Sequence, residues 1–270
     1  MDYLVFRLYG SMASWGEVAV GESRHSANHP GKSALLGLLA AALGIRRDDE
    51  RQQAMLSQNY RFAVKQLSAG QLMRDYHTTQ VPDSVGKYRY RTRRDEVVMG
   101  RNRLGTVLST REYRSDSLAL IAVQADSDAL ASLPELVEAL RKPVFHLYLG
   151  RKSCPLAAPL APLLITGVAN LMAAFDSYPV LPVMPSGEPL KGWSSAMPER
   201  DKQWLSLPEL QQYYWDGKLS DLAAAGPDFD PDKVQTLTRN DQPRSRKRWQ
   251  FSPRFEHFYQ VRAEQTKESV

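Results

Sequence analysis

From Tyr3 to Tyr9 the chain is rich in β-branched and aromatic residues with only Arg7 charged, which predicts a first strand. A connection containing glycine and serine, Gly10 to Lys32, leads into the apolar run Ala34 to Leu43. Ser33 is placed to cap that helix and Gly44 to stop it. Because the run is apolar on every side, the helix should be buried. Asp48 or Asp49 can cap a short second helix through Leu56. Tyr60 to Leu67 then sets Tyr60, Phe62 and Val64 against Arg61, Ala63 and Lys65, a period of two that predicts a strand closing at the turn Ser68-Ala69-Gly70.

A long polar and basic stretch follows, and its flanks, Gln71 to Thr78 and Thr106 to Tyr113, can pair as the arms of a hairpin. Leu118 to Val123 predicts a short strand. Leu130, Leu133, Leu136, Val137 and Leu140 recur at helical spacing, with Pro143 beyond the end. Val144 to Leu149 reads as a final strand before Gly150. The order is β-α-β, an inserted hairpin, then β-α-β. That is an α+β, ferredoxin-like arrangement, the topology of RNA-recognition motifs, although the topology serves many activities. After residue 155 the pattern changes. Pro155, Pro159, Pro162, Pro179, Pro182, Pro185 and Pro189 predict extended pieces wrapping the core. Leu207 to Leu222 is read as containing a helix with Tyr213, Tyr214 and Trp215, and Phe255 to Val261 as a strand. The expected division is a body over 1–155, with the hairpin at about 76–113, and a C-terminal extension over 156–270.

Composition sharpens this picture in three places. A hydrophobic share of 43% is enough for a proper core. The longest apolar run, Ala34 to Leu43, is too short to cross a bilayer, and Asp2 with no basic region before an apolar stretch argues against a secretory signal, so the cytoplasm is expected and no membrane partner. Cys154 is the single cysteine, which excludes an internal disulfide and a cysteine-based zinc site. The net charge of +5 is concentrated: Lys87 to Arg114 holds nine Lys or Arg against three acids, a local +6. Cations gathered on one segment repel each other unless a polyanion relieves them, though a solvated loop can have the same composition.

Within that segment Tyr88 and Tyr90 alternate with Lys87, Arg89, Arg91 and Arg93, so an extended strand would place rings on one face and cations on the other. Stacking surface beside phosphate-neutralising charge is what holds single-stranded RNA. Arg101, Arg103 and Arg111 on the return side, and Arg24, Arg74 and Tyr76, join the candidates. Gly31-Lys32-Ser33 before an apolar helix resembles the end of a phosphate loop, but Ser26 stands where that motif requires glycine. What remains is a helix N-terminus with Lys32 and Ser33, suited to a backbone phosphate or simply to capping. Gly150-Arg151-Lys152-Ser153 offers a close-approach glycine, two cations and a hydroxyl for phosphate oxygens. His25 and His29 are separated by four positions, but Pro30 breaks the helix that would bring them to one metal, so no metal and no cofactor is expected. His77 beside Arg74 and Tyr76 could serve acid–base cleavage of RNA or only make hydrogen bonds.

Several of these stretches resemble the CasD family of CRISPR-associated subunits in subtype I-E Cascade. They are Ala13-Ser14-Trp15-Gly16, Leu35 to Leu39, Leu43 through Asp49, Arg74-Asp75-Tyr76-His77-Thr78, Arg111-Glu112-Tyr113 and Leu149 through Leu156. The resemblance covers about residues 1–162, with a looser echo near 239–261, and nothing between about 185 and 239 matches. It implies a ferredoxin-like body holding the 5′ handle of the crRNA and capping the backbone filament. A β-hairpin thumb between Tyr76 and Tyr113 and the loop Gly150 to Ser153 would meet the RNA. The implied partners are CasC-like backbone subunits, a CasA-like large subunit and, through the assembly, target DNA. In that subtype the subunit CasE cuts the precursor, so the resemblance implies that this chain is not an enzyme. A related subtype I-C protein does cut, which keeps a metal-independent endoribonuclease as the alternative. A protein–protein adaptor whose charge is incidental is a third reading.

Overall fold

The computed structural model describes residues 1–19, 21–83, 89–98, 100–179, 181–183, 199–205, 207–223 and 229–262. The chain opens with β1 (Tyr3–Gly10), then the short pieces β2 (Trp15–Gly16), β3 (Ser23–Arg24) and β4 (Ser26–Ala27), and the helices α1 (Lys32–Leu43) and α2 (Glu50–Asn59). β5 (Tyr60–Ser68), β6 (Gln71–Pro82), α3 (Arg93–Val97), β7 (Leu104–Ser115) and β8 (Ser117–Ala125) follow. After α4 (Leu133–Arg141) come β9 (Leu163–Ile165), α5 (Leu171–Asp176), α6 (Glu199–Lys202), β10 (Leu210–Trp215), β11 (Gln235–Ser245) and β12 (Gln250–Arg262).

Seven strands form one antiparallel sheet in the order β11-β12-β10-β5-β8-β1-β9. Every residue of β1 is buried because both faces are covered. Leu4, Phe6 and Leu8 point to the side of α1 and α4, while Tyr3 and Val5 point to the side of α5. The period of two therefore survives inside a run that reads as uniformly apolar. α1 is buried, as its composition predicts, with Leu35, Leu36, Leu39 and Ala42 nearly inaccessible. Its C-cap is Gly44 at φ 76°, and α2 is capped by Asp49, whose carboxylate accepts from the Gln52 N–H at 3.0 Å.

Three expectations are corrected. Val144 to Leu149 is not a strand: the Val144 and Phe145 N–H groups bond to the Ala42 and Ala41 carbonyls, so this segment closes the end of α1. The short β9 takes the sheet edge beside β1 instead. Second, the stretch read as a helix around Tyr213, Tyr214 and Trp215 is the strand β10. Tyr214 packs with α1 on one face, and Tyr213 and Trp215 on the other, so consecutive aromatics here fill two opposite cores. Third, Ser33 does not cap α1. The N-cap is Gly31, without a side-chain bond, and the Lys32 N–H donates to the Asp241 carboxylate at 2.7 Å.

That last contact belongs to a buried charge cluster that fastens the C-terminal strands to α1. Lys32 Nζ pairs with Asp216 at 2.7 Å, Arg254 with Asp241 and with Glu256 at 2.6 Å each, and Glu256 with His29 at 3.1 Å. His29 also stacks on Tyr214, with ring centres 3.6 Å apart. Burial pushes the Glu256 carboxyl up, but His29 and Arg254 outweigh it and bring it down to about 2.

Candidate nucleic-acid interface

β6 and β7 pair residue for residue from Gln71↔Ser115 to Pro82↔Leu104, making a long hairpin that leaves the sheet between β5 and β8. Its arms run a few residues beyond the limits suggested by sequence. Along its outer part both faces are largely exposed, so packing accounts for little of its residue choice. β3 adds a parallel strand at its base, with Ser23 opposite Thr110 and Arg24 opposite Arg111.

Pairing fixes which side chains share a face. Asp75, His77, Arg111 and Tyr113 lie on one side, and Arg24 joins them through its place beside Arg111. Arg74, Tyr76 and Glu112 lie on the other. On the first face His77 Nδ1 meets the Asp75 carboxylate at 3.0 Å. On the second, Glu112 is buried and receives Arg74 at 3.0 Å, His25 at 3.4 Å and the Ser26 N–H at 3.3 Å. Burial alone would raise the Glu112 carboxyl; those partners together hold it below its ordinary value. Arg74 is therefore a structural clamp as well as a candidate contact. Tyr76 is 62% exposed, an open ring at the level of this clamp.

The loop after Leu149 comes to the first face. Gly150 has φ 83°, and a Cβ there would lie 1.8 Å from the Ser14 carbonyl oxygen, so only glycine lets the loop sit this close. The Ser14 N–H donates to the Leu149 carbonyl at 3.0 Å, and the Ser14 hydroxyl to the Glu112 carbonyl at 3.1 Å, linking the loop to β7. Arg151 lies over the Tyr113 ring at 4.8 Å, with one guanidinium nitrogen buried and lacking a hydrogen-bond acceptor. Lys152 and Ser153 are exposed. Arg24, Arg111 and Arg151, distant in sequence, thus converge on one face of the hairpin base.

The hairpin tip departs from the expected alternation of rings and cations. Lys87 and Tyr88 lie outside the described residues. Arg89, Tyr90 and Arg91 are not in a strand, and Arg93 begins α3, which is capped by Thr92 and Asp95. The capping box favours a helical turn over continued pairing. Arg93 bonds Glu96 and the Gln80 carbonyl at 2.6 Å each, and Arg103 lies 3.4 Å from Asp83, so both tie the tip to the arms. Arg101 lies in a short 3-10 turn. Among the described residues Arg89, Arg91 and Arg94 carry no ion pair, unlike Arg93.

Lys32 and Ser33 are brought elsewhere, against the C-terminal strands. The Lys32 ammonium is neutralised by Asp216 and its N–H is taken by Asp241, which removes both features that suggested a phosphate site at α1. The Ser33 carbonyl receives Arg246. Conversely, sequence reasoning passed over His25, Ser14, Glu112 and Tyr113 as site residues. The stretch Arg111-Glu112-Tyr113 was the available signal, because it sets an acid and an aromatic ring among the cations of the return arm. Among the described residues no cluster of three or more His, Cys, Asp or Glu is placed to hold a metal ion.

The model of a family described as CRISPR-associated protein (Cas_Cas5) matches residues 3–256. The CRISPR system Cascade subunit CasD of Escherichia coli (strain K12) is 33% identical over 216 residues, covering 77% of this chain and 91% of the relative. A chain of a solved CRISPR RNA-guided surveillance complex superposes with a TM-score of 0.60 at 22% identity, over 97% of this chain and 90% of that one. A crystal structure of a Cas protein gives 0.57 at 24% identity, over 96% and 95% of the two chains. Those two likenesses concern the fold.

Proposed function

The chain belongs to the Cas_Cas5 family of CRISPR-associated proteins, and from that premise we propose that it is a non-catalytic Cascade subunit that holds the 5′ handle of a guide RNA. The observation that carries the reading is the convergence of Arg24, Arg111 and Arg151 on the Tyr113 face of the hairpin base. Phosphates of a single strand passing the base would be met by three guanidinium groups, and guanidinium geometry suits phosphate oxygens. The hairpin acts as a thumb, with Tyr76 as an exposed stacking surface and Arg89, Arg91 and Arg94 as cations near its tip. Residues 1–155 are the RNA-binding body and 156–270 an extension that braces it. We take the fold as ferredoxin-like, with β9 at the start of the extension completing the sheet of the body: β9, β1, β8 and β5 stand side by side in the order fourth, first, third, second that this fold requires. CasC-like and CasA-like subunits are the neighbours this role calls for, with target DNA engaged through the assembly in the cytoplasm.

One observation favours the endoribonuclease alternative. His77 is oriented by Asp75 on the face that carries Arg111, an imidazole beside phosphate-binding charge. The other imidazole of this region, His25, is engaged by Glu112 on the opposite face, so the two imidazoles are not paired across one site. Anisotropy titration of repeat-derived RNA carrying the handle tests the binding role. Arg151→Ala with Lys152→Ala should weaken binding, at about 1–3 kcal/mol for each charged contact. The same RNA incubated with pure protein should stay intact. Cutting that disappears in His77→Ala would establish the alternative.

A further inference from the structure

The C-terminal basic run Arg244 to Arg248 plays no part in the hairpin or the Gly150 loop. It lies in the tight turn between β11 and β12, where Ser245 pairs with Gln250. The turn is fixed on α1 and α2: Arg246 donates to the Ser33 carbonyl, and the Ser245 hydroxyl to Glu50 at 2.6 Å. Arg246 is thereby half-buried, and burial together with neighbouring Arg47 pushes its guanidinium down to about 10. Around it Arg47, Arg244, Lys247 and Arg248 are exposed. Of the acids beside them, Asp48 is held by Arg46 at 3.3 Å and Glu50 receives the Ser245 hydroxyl, and among the described residues none of the four exposed cations is ion-paired.

Trp249 closes the turn with φ 55°, a left-handed backbone that bulky residues rarely adopt and that turns usually give to glycine or asparagine. Its ring is nonetheless 59% exposed, so it gains little from burial, and Arg47 lies over it at 4.4 Å. A turn that only joined two strands has no use for a strained, solvent-facing indole ringed by unpaired cations. A stacking surface for a base with phosphate partners on its rim does. The patch and the segment leading to the Gly150 loop are both tied to α1: Arg47 follows its C-terminal end, where the Val144 and Phe145 N–H groups bond the Ala42 and Ala41 carbonyls, and Arg246 bonds the Ser33 carbonyl at its start.

We propose that the β11–β12 turn is a second contact for single-stranded nucleic acid, with Trp249 stacking on a base and Arg47, Lys247 and Arg248 meeting phosphates. It extends the strand's path across α1 from the Gly150 loop, and it rests on the reading that this loop holds RNA. The test uses the full chain with a short RNA of about 8 nucleotides, a long RNA of about 20 and a long DNA strand of the same sequence. Trp249→Gly relieves the left-handed strain, so its melting temperature should equal or exceed that of the unaltered chain. Its affinity for a long strand, RNA or DNA, should fall on the order of tenfold. Lys247→Ala with Arg248→Ala should flatten the log K against log salt slope for that strand by about 1.4. The short RNA should respond to Arg151→Ala with Lys152→Ala and not to the turn variants. If Trp249→Gly binds both long strands like the unaltered chain, the second contact is wrong, whether or not the loop variant weakens the short RNA. If the turn variants weaken the long strand while the loop variant changes nothing, the turn contact stands and the handle reading fails.

Discussion

Replacing Gly150 with alanine should cost the fold about 2 kcal/mol and displace Arg151 from the interface. Two terms add. A residue with a Cβ at φ 83° costs about 1 kcal/mol relative to glycine. The new Cβ would also lie 1.8 Å from the Ser14 carbonyl oxygen, a backbone atom that cannot swing aside. The loop must then retreat from Ser14, which sacrifices the Ser14 N–H bond to Leu149, worth about 1 kcal/mol. Gly167 supplies the control. It too has positive φ, 69°, but a Cβ there meets nothing within 4 Å, so Gly167→Ala should show only the conformational term, about 1 kcal/mol. Urea unfolding of the two variants separates the steric part from the strain. RNA affinity should fall in Gly150→Ala and hold in Gly167→Ala. Equal, small losses of stability in both, with RNA binding intact, would mean that the approach of this loop to Ser14 is not what positions Arg151.

The free cations near the thumb tip should govern salt sensitivity. Replacing Arg89, Arg91 and Arg94 with alanine should flatten the log K against log salt slope for RNA by about 2 if all three meet phosphate, in a salt titration by anisotropy. Arg93→Ala should instead loosen the tip, seen as faster proteolysis near α3, since Arg93 is committed to Glu96 and Gln80. Acid should weaken the C-terminal strands. Glu256 is held at about 2 in the fold against an ordinary value of 4.5, so its stabilising effect is complete above pH 4.5 and lost as pH falls toward 2. The loss is on the order of 3 kcal/mol. Glu256→Gln should be less stable at neutral pH yet lose less on acidification, measured by urea midpoints across that range.

Much of the fold was legible because the residues that decide it act locally. The period of two at Tyr60 to Leu67 and the stop at Gly44 each depend on neighbours a few positions away, and each is found where it was expected. The failures come from long-range contacts. Val144 and Phe145 look like strand residues, but their N–H groups serve the end of α1, which no local pattern reveals. Tyr213, Tyr214 and Trp215 suggested a helix because alternation is invisible when both faces of a strand are buried. Lys32 seemed a free cation until the fold brought Asp216 and Asp241 from more than a hundred residues away. The site was half legible. Arg24, Arg111 and Arg151 were named separately, but only strand pairing and the Gly150 turn place them on one face.

The most direct test of this account is the salt dependence of handle binding in the variant Arg24→Ala, Arg111→Ala, Arg151→Ala. The affinity of the full chain for repeat-derived RNA is measured over a range of salt, with circular dichroism checking that the variant is folded. The account predicts weaker binding and a log K against log salt slope reduced by about 2, as three phosphate contacts on a single strand require. A folded variant that keeps both the affinity and the slope of the unaltered chain would contradict it, since the face on which these arginines converge would then not carry the RNA.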